Sequence, residues 1–346
     1  MIARYIHLRR HPRVFLAMTG LHVPEFDELV RDLRPRYEQA EVARLSRVAA
    51  MACPRHRRKR AIGAGHPFAL DGRDQVLLLM IWLRVYSTYV VLAYLFGVSE
   101  AAVSRLRARV LPVLEQAGLE TMHEARARLE RLAILAQARQ VRPPRSRRQL
   151  DDLLREVPDL VVIIDSFEQR VQRPQGQDAV GKRHADAFYS GKKKQHTLKT
   201  QVALARPTGE ILDVPESVPG PTSDIKLLEQ SGTLQQVPDG VGVTCDLAYV
   251  GMDKLAATQA PAVYTATARR KPRGQPRPDE DVAYNTAFAR ERIDVEHGIG
   301  RLRRYEAITH TDRHHRRDHT PRTRAIAGLT NRQVRSRRRL RLGAPR

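Results

Sequence analysis

The stretch VVIID, residues 161–165, joins four aliphatic residues to one acid, and its reading decides the fold of the second half of this chain. A continuous apolar run of that length reads as a strand buried on both faces, with Asp165 at its end. Downstream, HTLKTQVALA (196–205) and GEILDVPES (209–217) alternate as strands around a turn at Pro207-Thr208-Gly209. TSDIKLLEQSG (222–232) reads as a helix, with Thr222 or Ser223 as its cap and Gly232 as its stop. GVGVTCD (240–246) is a second strand closed by an acid, Asp246; PAVYTATA (261–268) is a further strand, and 281–305 a long helix. Strand, hairpin, helix, strand, strand, helix is the order of an RNase H-like α/β domain.

Upstream of that domain the pattern is helical. FDELVRDLRPRYEQAEVARLSRV (26–48) is a charged helix, expected to break at Pro35. RHRRKR (55–60) reads as a basic connector, a linker or a contact to a DNA backbone. Two helices follow at 75–85 and 88–96, then Gly97-Val98-Ser99, then a helix from Glu100 to Leu111. This is the spacing of a helix-turn-helix, with Gly97 free to take a positive φ and Ser99 able to cap the next helix. In that last helix Ala101, Val103, Leu106 and Val110 are expected to face inward. Ser104, Arg105, Arg107 and Arg109 are left for a groove or its phosphates. The Pro- and Arg-rich VRPPRSRR (141–148) marks a boundary. The expected division is an N-terminal helical segment with its connector (1–60), the helix-turn-helix domain (61–150), the catalytic α/β domain (151–312) and an Arg-rich tail (313–346). That tail holds 12 Arg against the single acid Asp318, together with His314, His315 and His319, and is expected to be solvated and to face DNA.

Charge points the same way. Basic residues number 61 against 38 acidic ones, a net charge of +23 over 346 residues. Only nine of the basic residues are Lys, so Arg dominates, and its planar fork suits phosphate oxygens. An excess of that size attracts a polyanion. The two cysteines, Cys53 and Cys245, make neither a disulfide framework nor a Cys-based zinc site, and Cys245 reads as a small buried hydrophobe. VLLLMIWL (76–83) and YVVLAYLF (89–96) are too short to span a membrane, and MIARYIHLRRHPR lacks a signal-peptide core. An intracellular protein with no membrane partner is expected.

Asp165, Asp246 and Glu296 (in RIDVEHGIGRLRR, 292–304) are the candidate site. Carboxylates from two strand ends and one helix face can converge on two divalent cations that clamp an in-line displacement at phosphorus. An all-oxygen ligand set favours Mg²⁺ or Mn²⁺. Lys192, Lys193 and Lys194, right after Gly191, can neutralise DNA backbone phosphates near this site or form a solvated turn. Asp224 is either a fourth acid at the site or a helix N-terminal charge favoured by the dipole.

IDSFEQRVQRP, YSGKKKQHTLKTQ, PGPTSDIKLL, CDLAYVG and RERIDVEHGIGRLRRY follow one another here, in that order. The set resembles bacterial insertion-sequence transposases of the DDE class, in the insertion-sequence-five group and its Harbinger-like relatives. LAMTGLHVPEFDEL and the FGVSEAAVSR turn also resemble that family, so the resemblance covers roughly residues 5–335. It implies Asp165, Asp246 and Glu296 as a catalytic, metal-holding triad in a DNA transposase. Such an enzyme binds terminal inverted repeats and target DNA, assembles as a homo-oligomer on DNA and works in the bacterial cytoplasm at the nucleoid. Arg292 and Arg303 flank Glu296 at helical spacings of four and seven, available to phosphates, and Arg303 stands where the family usually has Lys. The signature Tyr falls at Ala289, and Ser166-Phe167 replaces the commoner Gly-Thr beside the first aspartate. A decayed or domesticated DNA-binding protein and a structure-specific nuclease on the same fold remain as alternatives.

Overall fold

A computed structural model describes residues 3–51, 68–138, 161–177, 181, 183–206, 208–291 and 293–341. The basic run 55–60, Cys53, the boundary at 141–148 and Arg292 lie outside the described residues. The chain forms two compact units, 1–117 with 305–307, and 118–304 with 308–346.

The first unit is helical: α1 (Tyr5–Leu8), α2 (Pro12–Thr19), α3 (Val23–Met51), α4 (Gly72–Val85), α5 (Tyr89–Phe96) and the start of α6 (Glu100–Ala138). Every residue from Val76 to Leu83 is buried, so α4 is the centre of this unit. Asp71 caps it by accepting from the Asp74 N–H at 2.8 Å, and Asp74 in turn pairs with Arg4 at 2.8 Å. Tyr5, Phe15 and Phe26 stack beside it with ring centroids 5.2–6.3 Å apart. The expected break at Pro35 does not occur: α3 runs through it. Proline removes one N–H and leaves the rest of the ladder, and the burial of Phe26, Leu29 and Leu33 holds the preceding turns in place.

The helix-turn-helix forms as the spacing predicts. Gly97 closes α5 with φ 66°, and the Ser99 hydroxyl accepts from the Ala102 N–H at 3.2 Å to open α6.

The second unit is built on a seven-stranded sheet. Its strands are β1 (Val161–Arg170), β2 (Tyr189–Ser190), β3 (Gln195–Ala205), β4 (Glu210–Asp213), β5 (Val218–Pro219), β6 (Gly242–Cys245) and β7 (Tyr264–Thr267). β1 pairs antiparallel with β3, whose far edge carries β2, β5 and β4, while β6 and β7 extend the sheet in parallel from the other side of β1. An antiparallel meander followed by two parallel strands is the RNase H-like topology. Among the described residues its α-helices are the rest of α6 from Gly118, then α7 (His184–Phe188), α8 (Asp224–Ser231), α9 (Met252–Gln259), α10 (Asp279–Glu291), α11 (Ile293–Leu302) and α12 (His319–Arg341). The 281–305 segment expected as one helix is thus described as α10 and α11, on either side of Arg292.

The solvated tail is the clearest correction. Residues 319–341 form α12, which buries Arg322, Thr323, Ala325, Ile326, Ala327, Leu329, Thr330 and Asn331. Its Arg content concealed this, because several arginines are paired inward: Arg322 with buried Asp312, and Arg335 with Glu210 at 2.6 Å. Asn331 accepts from the Ile211 N–H at 2.7 Å and donates to its carbonyl at 2.8 Å. One amide thereby serves the free edge of β4 as a neighbouring strand would.

Candidate active site and nucleic-acid interface

The sheet sets the site. Ile164 of β1 pairs with Cys245 of β6 in the parallel register, so Asp165 and Asp246 come next on neighbouring strands. Adjacent strands lie about 4.8 Å apart, which puts the two aspartates side by side. β6 ends there while β1 continues to Arg170, so the acids stand where the parallel pairing stops. That is the carboxyl end of a parallel pair, where open α/β sheets bind ligands. Both residues are half-buried. Asp165 Oδ1 accepts from the Ser166 N–H at 2.8 Å, and Asp246 Oδ1 accepts from the Ala248 N–H at 2.8 Å, capping the short turn Leu247–Tyr249.

Side chains alternate along β1, so Asp165 shares a face with Ile163 and Phe167. α11 packs on β1 and β3, with Val295, Gly298, Ile299 and Leu302 buried. A Cβ on Gly298 would meet Leu204 Cδ1 of β3 at 2.2 Å, so glycine permits the close approach. Glu296 belongs to this helix but is exposed, on a hollow lined with Arg277, Asn285, Thr286 and Arg290. Among the described residues no three His, Cys, Asp or Glu side chains stand close enough to share a metal ion. The strands therefore bring Asp165 and Asp246 together, while Glu296 does not join them in a three-acid cluster among the described residues.

The opposite face of β1 carries polar groups that the sequence did not single out. Ser166 Oγ donates to Asp224 Oδ1 at 2.5 Å, and Lys199 of β3 reaches the same oxygen at 3.1 Å. Lys199 also donates to the Thr222 carbonyl at 2.6 Å and is almost wholly buried. The available signal was its place in HTLKTQVALA, a lysine inside an otherwise strand-like run. Tyr249 is buried beside this group. Burial, then the Cys245 thiol and the Asp224 and Asp165 carboxylates, push its phenol well above the ordinary value, while Ser166 pulls the other way. Cys245 itself is buried, its sulfur 3.0 Å from that of Met252.

The basic candidates separate by position. Arg105 is exposed on α6. Arg107 is half-buried with its guanidinium 5.5 Å from the Trp82 ring centroid, and Arg109 lies 4.2 Å from that of Phe68. Val103, Leu106 and Val110 are buried as expected, but Ala101, in the first turn of α6, is exposed. Lys192, Lys193 and Lys194 are exposed on the turn between β2 and β3. Asp165 pairs with Val202, so at about 3.3 Å per residue this turn lies roughly 26 Å along β3 from the acids, not beside them. Arg303, just past α11, is exposed and 5.7 Å from the ring centroid of Phe167, two residues beyond Asp165 on the same face. Arg292 lies outside the described residues.

Comparison with known proteins agrees with this layout. Residues 164–331 match the family described as DDE superfamily endonuclease, and residues 68–120 match the helix-turn-helix of DDE superfamily endonuclease. A probable transposase for insertion sequence element IS702 from Microchaete diplosiphon is 28% identical over 258 residues, 75% of this chain and 79% of that protein. Among solved structures, a Mos1 transposase paired-end complex with left transposon end aligns over 64% of each chain at 11% identity and a TM-score of 0.20. The Mos1 Strand Transfer Complex aligns over 83% of this chain and 82% of that one at 13% identity and a TM-score of 0.23. Structural likenesses that weak carry no functional weight.

Proposed function

Since this chain is a transposase of the DDE superfamily of endonucleases, we propose that Asp165, Asp246 and Glu296 are its catalytic carboxylates. In this reading it cuts DNA at the terminal inverted repeats of its own element and joins the freed ends to a target. The observation that carries this reading is the Ile164–Cys245 pairing, which sets Asp165 and Asp246 abreast at the open end of the parallel strands. Glu296 is the third acid because α11 packs on the same face of the sheet.

The superfamily generally uses divalent metal ions. Half-buried carboxylates at a strand end offer hard oxygen donors, the chemistry that Mg²⁺ or Mn²⁺ requires. When bound, such ions, two in this reading, would offset the charge that builds up on the attacking and leaving oxygens at phosphorus. The protein's own task is then positioning. The Ser166 and Ala248 N–H groups hold the two aspartates in fixed rotamers. Arg303 is placed to meet the phosphates beside the scissile bond, with Arg292 assigned to the same task from its spacing to Glu296.

DNA is the partner, and the helix-turn-helix its reader. Arg105 is the foremost base or phosphate contact on α6, with Arg107 beside it; Lys192, Lys193 and Lys194 hold flanking duplex well away from the chemistry. The protein acts as a homo-oligomer that holds two ends at once. In this division 61–150 reads the repeat and 151–312 cuts, with α12 serving as part of the catalytic fold. No single helix among the described residues is long and apolar enough to cross a membrane, and we assign the protein to the cytoplasm at the nucleoid. Cleavage of a duplex copied from the DNA flanking the gene, with and without Mg²⁺, tests the assignment.

A further inference from the structure

Asp224 opens α8, where a carboxylate is favoured by the helix dipole alone. Its contacts go further than that. The Asp224 side chain is largely shielded from solvent, and one of its oxygens both accepts from Ser166 Oγ at 2.5 Å and meets the Lys199 ammonium at 3.1 Å. Lys199 is fixed in turn by the Thr222 carbonyl at 2.6 Å, in the turn that leads into α8. Ser166 is also the residue whose N–H holds Asp165 Oδ1 at 2.8 Å. A chain of contacts thus runs from α8 and β3 through Ser166 to the first catalytic aspartate, entirely from the face of β1 that Asp165 does not share.

We propose that Asp224 is a positioning residue for Asp165, acting through Ser166, with Lys199 holding its carboxylate in place. The proposal rests on the assignment of Asp165 as a catalytic carboxylate. The run of β1 residues paired with β6 ends at Ile164, and Asp165 lies one step past the Ile164–Cys245 pair, so the backbone is braced on that side only up to Ile164. Anchoring Ser166 from behind fixes the N–H that sets the Asp165 rotamer, which is how a supporting shell sharpens a site. Asp224 itself does not touch the reacting phosphate.

The full-length protein is assayed on a duplex copied from the DNA flanking its gene, with Mg²⁺ present. The single-turnover cleavage rate at saturating duplex and the Kd for the same duplex are both measured, with wild type and Asp165→Ala as the two references. Asp224→Ala and Ser166→Ala are each expected to slow cleavage about ten- to a hundredfold at unchanged duplex Kd. The double variant should be no slower than the worse single one, because both break one linkage. Asp224→Asn, which keeps an acceptor for Ser166, and Ser166→Thr, which keeps the hydroxyl, should restore most of the rate. Should Asp224→Ala fold poorly, Ser166→Ala removes one oxygen and carries the test. Multiplying losses in the double variant, or an Asp224→Asn rate as low as that of Asp224→Ala, would overturn positioning through Ser166. A Ser166→Ala rate equal to wild type while Asp165→Ala is dead would overturn it too. Wild-type cleavage by Asp165→Ala would instead remove the catalytic assignment, and the proposal with it.

Discussion

Asp165 and Asp246 occupy matching positions on neighbouring parallel strands, each one residue past the Ile164–Cys245 pair. Each carboxylate is already held by a backbone N–H, from Ser166 and from Ala248. In the proposed phosphoryl-transfer site the sheet thus sets the two aspartates side by side, and the surrounding groups refine their placement.

Arg105 and Arg107 should separate binding from stability. Arg105 is exposed, so Arg105→Ala should leave folding intact and weaken duplex binding. A base contact would cost about 1–3 kcal/mol and relax specificity, whereas a phosphate contact would lower the salt slope by about one. Arg107 lies on Trp82, so Arg107→Ala should also lower stability, by about 0.5–2 kcal/mol. Titrations of duplex at several salt concentrations, with thermal melts alongside, check both.

Acid should loosen the packing of α12. Burial, helped by the Arg322 charge, holds His319 at about 3, far below its ordinary 6.5. The unfolded chain takes up a proton near pH 6.5 and the folded one only near pH 3, so the stability gained from neutral His319 is complete above 6.5 and drains away as pH falls towards 3. Asp312 adds to the same trend. Although burial opposes it, Arg322 lowers its carboxyl below the ordinary 3.8, and that stabilisation is lost only once the pH falls below about 3.8. The melting temperature should drop by about 5 °C or more between pH 7 and pH 4.5. His319→Gln should flatten that dependence; an equally steep one would remove His319 as its source.

Gly118 of α6 and Gly328 of α12 let two helices touch. A Cβ on Gly328 would lie 2.3 Å from the Gly118 Cα, and one on Gly118 would lie 2.5 Å from the Arg324 carbonyl oxygen. Backbone cannot yield as a side chain can, so Gly328→Ala should cost about 1–3 kcal/mol. A urea melt that matches wild type would show that the helices can separate freely.

Glu296 is exposed, so Glu296→Gln should keep the wild-type melting temperature while cleavage falls by about a hundredfold or more. Arg303→Lys should retain both cleavage and joining, and Arg303→Glu should impair joining. Full activity in Glu296→Gln would take Glu296 out of the site.

The strands of the second unit were legible in the sequence because parallel, doubly buried strands read as unbroken aliphatic runs. VVIID and GVGVTCD each also marked the acid at its end. The turn at Gly97 was legible for a local reason, since a positive φ needs glycine. Long-range pairing was not. Nothing in the Arg-rich sequence after Asp312 shows that Arg322 is neutralised by Asp312 or that Asn331 serves the β4 edge. Composition therefore suggested a solvated tail where a helix packs. The side-chain linkage of Asp224, Ser166 and Lys199 joins residues far apart in sequence and likewise has no local signature. Strand register could have warned that Lys192 to Lys194 fall far from Asp165, because the hairpin is long.

The most direct test of the paired-aspartate site is Mg²⁺-dependent cleavage of the flanking-DNA duplex by Asp165→Ala and Asp246→Ala, measured beside duplex affinity and melting temperature. Each variant is expected to bind the duplex as wild type does, to melt within about 5 °C of it, and to cleave at a rate lower by at least about a thousandfold. Cleavage by either variant at the wild-type rate would contradict the assignment of these two carboxylates to catalysis.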